Sequence, residues 1–134
     1  MKRIVLVALS VACVLLPATA NAAVQELTID PQVLIIDGDS VRISGTITCD
    51  VGDRYRVGTQ SFTTSTGTQA RRGPFVGGDC SGSPQIWHVV AERSTGPAFE
   101  AGATATVTAL GQTGTPGDNS PNHSVQVSQE VTLQ

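Results

Sequence analysis

Arg54-Tyr55-Arg56 and Arg71-Arg72, the latter followed by Pro74-Phe75, are the places where this sequence gathers guanidinium groups beside aromatic rings. That pairing is the chemistry of protein interfaces and of sites for carboxylate- or phosphate-bearing ligands, because a planar guanidinium both forks onto an oxyanion and stacks on a ring. All these residues lie in or beside the stretch between Cys49 and Cys80. Arg54, Tyr55, Arg56, Arg71, Arg72 and Phe75 are therefore the candidate binding residues. If their loops meet, four of the six arginines beyond Arg3 form one positive patch on an otherwise acidic chain. The competing reading is plainer: Arg42, Arg54 and Arg56 alternate outward to keep a strand face wet, while Tyr55 and Phe75 fill the core.

Catalytic chemistry finds less support. Asp50 and Asp53 stand three apart, and Asp79, Glu92 or Glu100 would have to join them in space to give a glycosidase-type carboxylate pair. Acids beside glycines at strand ends are more commonly solvated turn residues. His88 and His123 could serve as bases, yet there is no Gly-x-Ser-x-Gly, and Gly82-Ser83-Pro84 does not open a helix. "GPFVGGDCSG" lacks the lysine and the following helix of a phosphate loop. "IDGDS" and "CDVGD" each put two acids near a glycine, but neither matches a twelve-residue calcium loop. No catalytic residue, metal ligand or cofactor is assigned.

The elements that must position these groups read as strands. Val41, Ile43, Gly45, Ile47 and Cys49 alternate with Arg42, Ser44, Thr46 and Thr48, which describes a half-buried strand. Residues 24–29, 54–66, 85–93, 102–111 and 123–134 also read as strands, and Val33 to Ile36 is an apolar run ended by the Asp37-Gly38-Asp39 turn signal. An edge strand is expected over Gln69 to Arg72, and Trp87, Val89 and Ala91 are expected to face inward. Residues 112–122, rich in glycine and proline, read as a hairpin loop. Helical stripes are missing, so sheet must cover sheet. The expectation is a two-sheet sandwich of about seven or eight short strands, with a small β-barrel as the alternative.

Ahead of this domain, Lys2 and Arg3, the apolar run Ile4 to Leu16 and "ATANAA" match the three parts of a secretory signal peptide. Residues 1–23 are read as that leader and 24–134 as a single domain; the run is too short for a membrane span. Cys13 after Ala12 leaves a lipid-anchored form as the alternative to free secretion. Without the leader the chain carries six arginines against eleven acids, a net charge of −5, which argues against nucleic-acid binding. Cys49 and Cys80 are then the only cysteines, and an oxidising compartment makes their disulfide the default.

"VRISGTITCD", "GGDCSG" before "QIWHVV", and "FEAGATATVTA" followed by "VSQEVTLQ" resemble small exported immunoglobulin-like proteins of actinobacteria that lack an assigned activity. The resemblance spans residues 24–134 and implies an immunoglobulin-like sandwich with no known ligand and no catalytic residue. One departure stands out: immunoglobulin domains of antibodies pack a tryptophan against a disulfide joining their two sheets, whereas Trp87 here follows both cysteines. The functional expectation is a secreted or cell-surface, non-enzymatic domain that binds a protein or cell-envelope component. A small secreted hydrolase or inhibitor-like domain is the alternative.

Overall fold

The computed structural model describes residues 24–115 and 123–134, so the leader and most of the 112–122 loop lie outside the described residues. Nine strands follow in chain order: β1 (Val24–Ile29), β2 (Gln32–Asp37), β3 (Ser40–Cys49), β4 (Arg54–Thr64), β5 (Gln69–Ala70), β6 (Val76–Asp79), β7 (Gln85–Thr95), β8 (Thr104–Gly114) and β9 (His123–Leu133). The period-two segments are thus strands. β5 is shorter than expected and is no edge, because it bonds β4 on one side and β7 on the other. No helix among the described residues is long and apolar enough to cross a membrane.

Three long antiparallel ladders form the walls. β3 runs with β7 from Ser40↔Glu92 to Ile47↔Gln85, β4 with β8 from Arg54↔Gly114 to Thr64↔Ala105, and β8 with β9 from Thr104↔Thr132 to Thr113↔His123. Two short seams join these walls. At one, β2 leaves its hairpin with β3 and lies parallel to β9 at Gln32↔Thr132 and Val33↔Leu133. At the other, β5 spans from Thr63 of β4 to Thr95 and Arg93 of β7.

The immunoglobulin-like sandwich is therefore corrected. Hydrogen bonding passes without a break through β3, β2, β9, β8, β4, β5 and β7 and back to β3, a closed seven-stranded barrel of mixed direction. β1 bonds to β3 and β6 bonds to β4 outside that ring. A sandwich needs both sheets to keep free edges; here the seams bond them, and closure removes the liability of unpaired strands. The seams rest on one or two residue pairs each, too few to leave a periodic signal in the sequence.

Inside the barrel the alternating residues meet as the strand pattern requires. Val41, Ile43, Ile47, Val57, Val107 and Ala109 are fully buried, joined by Val33, Val131 and Leu133 from the β2–β9 seam. Phe62 comes inward because a bulge between Thr59 and Ser61 shifts the phase of β4. It meets Phe99 edge-on, with ring centroids 5.8 Å apart. Trp87 is buried, as its strand face predicts, and its indole N–H donates to the Thr46 carbonyl at 3.2 Å. Gly45 lets β1 and the indole close over β3: a Cβ there would lie 1.9 Å from the Thr28 carbonyl oxygen.

Candidate functional site

The short turn between β3 and β4 is a structural joint. Cys49 and Cys80 are bonded, with Cα atoms 5.3 Å apart. Around the bridge the backbone is laced: Cys80 N–H donates to Asp53 O and Gly82 N–H to Cys49 O, each at 2.9 Å. Asp50 and Asp53 close the turn, the Asp53 N–H donating to Asp50 O at 3.2 Å. Glu92 lies at the other end of the β3–β7 ladder, opposite Ser40. Glu100 precedes β8, whose first residues pair with the far ends of β4 and β9. Glu92 and Glu100 are thus held a barrel wall away from Asp50 and Asp53, while Asp79, next to Cys80 at the same end as these two, is paired with Arg54 at 3.5 Å.

The other acid–glycine turn is likewise committed to structure. One Asp37 carboxylate oxygen accepts from Asp39 N–H at 2.9 Å and from the Ser40 hydroxyl at 2.8 Å. These bonds, the Ser40 one foremost, hold the Asp37 carboxyl below its ordinary range. Asp39 is taken by Arg93, whose Nε donates to it at 2.8 Å. No group of three or more His, Cys, Asp or Glu side chains that could hold a metal occurs among the described residues. His88 faces solvent on β7 opposite Ser44, and His123 stands on β9 opposite Thr113, on different walls.

The arginine–aromatic residues are sorted by the strands that carry them. Arg54 and Arg56 point outward from β4, while Tyr55 between them turns inward and packs half-buried against the core. Arg54 is paired with Asp79 on the neighbouring β6 at 3.5 Å. Arg56 instead lies over the ring of Phe75, its guanidinium carbon 4.5 Å from the centroid. Phe75 stays 39% exposed, so the reading that made it a core residue is corrected. It rests on Gly58, where even one added carbon would come within 3.0 Å of the ring. Arg71 and Arg72 are exposed, and the Arg71 N–H donates to Glu92 O at 2.7 Å, which carries that pair of arginines toward β7.

Register supplies neighbours for Phe75 that lie 35 to 51 residues further along the chain. Gly58 is opposite Leu110, and Leu110 is opposite Gln126; Arg56 is opposite Gln112, and Gln112 is opposite Ser124. In the next outward row Ser61 stands beside Thr108, whose hydroxyl is 2.7 Å from that of Ser128. Phe75, Arg56, Leu110 and the two glutamines thus share the outer face of β4, β8 and β9. No family model, curated protein or solved structure matches the chain. The site's meaning therefore rests on its own geometry. Leu110, Gln112 and Gln126 escaped the sequence reading because they sit on outward positions of two later strands. Their alternation was visible, but only the register brings them beside Phe75.

Proposed function

We propose that this protein is an exported recognition domain that acts by occupying a cell-envelope component, in the way an inhibitor occupies its target, and turns nothing over. The leader-like residues 1–23 and the cysteine pair support export. The observation that carries the recognition reading is Phe75. A ring of that size is ordinarily worth most to a small protein inside its core, yet this one lies outside on a glycine seat under an arginine. A half-exposed aromatic in contact with a guanidinium is the composition of a binding hot spot. Phe75 itself precedes β6, but its glycine seat and its arginine both stand on β4, which fixes them better than a loop would.

The test is binding of labelled protein to the envelope fraction of the producing organism. Phe75→Ala should weaken binding by about tenfold or more, the scale of a hot-spot truncation. Gly58→Val, which leaves the ring intact but removes its seat, should do nearly the same. Val51→Ala, which trims an exposed apolar side chain on the turn after Cys49, should not. Binding that ignores both Phe75→Ala and Gly58→Val would overturn the reading, as would turnover of an envelope polymer by the purified protein.

A further inference from the structure

We infer that the open edge of β9 pairs with the same edge of a second copy of this chain, giving a two-fold dimer whose β4–β8–β9 walls join into one sheet. Closure ties β9 to β2 only at Thr132 and Leu133. Just before that seam the chain changes walls: Asp30 N–H donates to Ser44 O on β3, and Pro31 O accepts from Thr132 N–H on β9, each at 2.8 Å. β1 therefore stays with β3. From His123 to Val131, β9 is bonded along one side by β8, and among the described residues no strand pairs with its other side. The bonds at the seam tell which groups face that side. Leu133 N–H donates to Ala103 O, toward β8, whereas Thr132 and Gln134 N–H donate to Pro31 O and Val33 O. The β8–β9 ladder runs back to His123 without a register shift, so the alternation continues. Ser124, Gln126, Ser128 and Glu130 thus turn their N–H and C=O groups to the open side.

Strand edges are ordinarily guarded by bulges, proline, lysine or brevity. β1 has a bulge between Val24 and Glu26, and β6 is four residues long. β9 has eleven residues with no bulge, proline or lysine, and Glu130 is its only acid. A second copy answers this edge in full. In an antiparallel pair with its dyad at Val127, Gln126 stands opposite the partner's Ser128 and Ser124 opposite the partner's Glu130, and each pair exchanges two backbone bonds. Moving the dyad to Ser128 would set Ser124 against Thr132, whose N–H is already given to Pro31. On the inner face Val127 meets its own copy in a non-hydrogen-bonded pair, where side chains come closest, and covers apolar surface that one copy leaves half-buried. Charge allows the match. Glu130 faces a serine, and the two Glu130 side chains stand about 20 Å apart along the edge, beyond the screening length of about 8 Å. Edges of this length make a contact below the roughly 1,200 Å² of stable complexes, so the dimer is weak and concentration-dependent. Its dyad is perpendicular to the joined sheet, which brings both Phe75 seats onto one face, five strand spacings or roughly 24 Å apart.

The experiment is sedimentation velocity on the purified protein, its Cys49–Cys80 bond intact, from about 10 μM to about 1 mM, the range a small interface spans. The sedimentation coefficient should rise with concentration toward that of a dimer. Amide hydrogen exchange should slow about fivefold at Ser124, Gln126, Ser128 and Glu130 when about four-fifths of the copies are paired. It should stay unchanged at Val125, Val127 and Gln129, whose N–H groups already face β8. Gln126→Pro, which removes an outward N–H and none of the bonds to β8, should leave the protein monomeric throughout. Val127→Glu, which sets two carboxylates against each other at the dyad, should do the same. Val127→Cys should form an intermolecular disulfide in air and Val125→Cys should not, because only residue 127 faces itself. Fluorescence of the buried Trp87 checks that each variant is folded. A protein that stays monomeric at every concentration overturns the inference. So does a dimer that survives both Gln126→Pro and Val127→Glu, or one that protects the amides of another strand. The recognition reading is separate: envelope binding that depends on Phe75 in a monomeric protein would sink the dimer alone.

Discussion

Breaking the Cys49–Cys80 bond without removing its atoms isolates what the cross-link does. The two cysteines are 31 residues apart. Closing a loop of that length removes roughly 12 cal/mol/K of unfolded-chain entropy, or about 3.7 kcal/mol at 25 °C. For a domain of about 110 residues, unfolding entropy near 60 °C is on the order of 0.23 kcal/mol/K, so the melting temperature should fall by about 15 °C. Both sulfurs are buried, so reductant must be introduced through an unfolding and refolding cycle. The melt is then followed by Trp87 fluorescence in the oxidised and the fully reduced protein. Cys49→Ala with Cys80→Ala should lose at least as much, since it also removes buried sulfur. A reduced protein that melts within about 4 °C of the oxidised one would refute the argument. It would mean that the unfolded chain holds the 49–80 loop closed without the bond.

Gly45→Ala should be among the most damaging single-carbon additions. Its Cβ would overlap the Thr28 carbonyl and press on the Trp87 ring, and neither backbone nor buried indole can turn away. A loss of about 3 kcal/mol or more in urea unfolding is expected, and a loss under 1 kcal/mol would show that β1 is free to shift. Asp37 should titrate below the ordinary carboxyl value of 3.8 because the Ser40 hydroxyl and Asp39 N–H donate to its ionised form. The sign follows from linkage: these bonds favour the fold above that ordinary value and are lost as pH falls through the lower folded one. Ser40→Ala should move the Asp37 titration upward in a carboxyl-detected NMR series; an unchanged midpoint would deny the hydroxyl its role.

Much of the wall was legible in the chain and little of its closure was. The alternation from Val41 to Cys49 named the buried residues of β3 apart from Thr48, which it set on the outward face and which is buried, and the choice of Trp87, Val89 and Ala91 as the inward set of β7 holds. Hydrophobic period carries that information because each strand must bury one face. The seams carry none. Gln69 pairs on both edges and Ala70 on one, without an apolar pattern, and the parallel contact of Gln32 and Val33 with β9 depends on where β9 ends its ladder with β8. A choice between two open sheets and a closed ring lies in those few bonds. At the candidate site the order of residues groups Phe75 with Arg71 and Arg72, which precede it, and Arg56 with Tyr55. The structure sets Arg56 beside Phe75 instead, since β6 lies along β4 and delivers the ring to Gly58.

The bond between β2 and β9 joins the beginning of the barrel to its end. Val33 pairs with Leu133, and Ile35 N–H donates to Gln134 O at 2.8 Å. Because a chain is made from its N-terminus, about 100 residues must be added between the two partners, roughly 5 to 20 seconds of synthesis. Throughout that interval the ring has no last stave. β8 can find β4, and β3 can find β7, but the growing chain still shows open edges and an unsealed core. It is therefore threadable while incomplete and exposed to other strands for the same reason, and the final few residues convert it from a pliable ribbon into a sealed vessel.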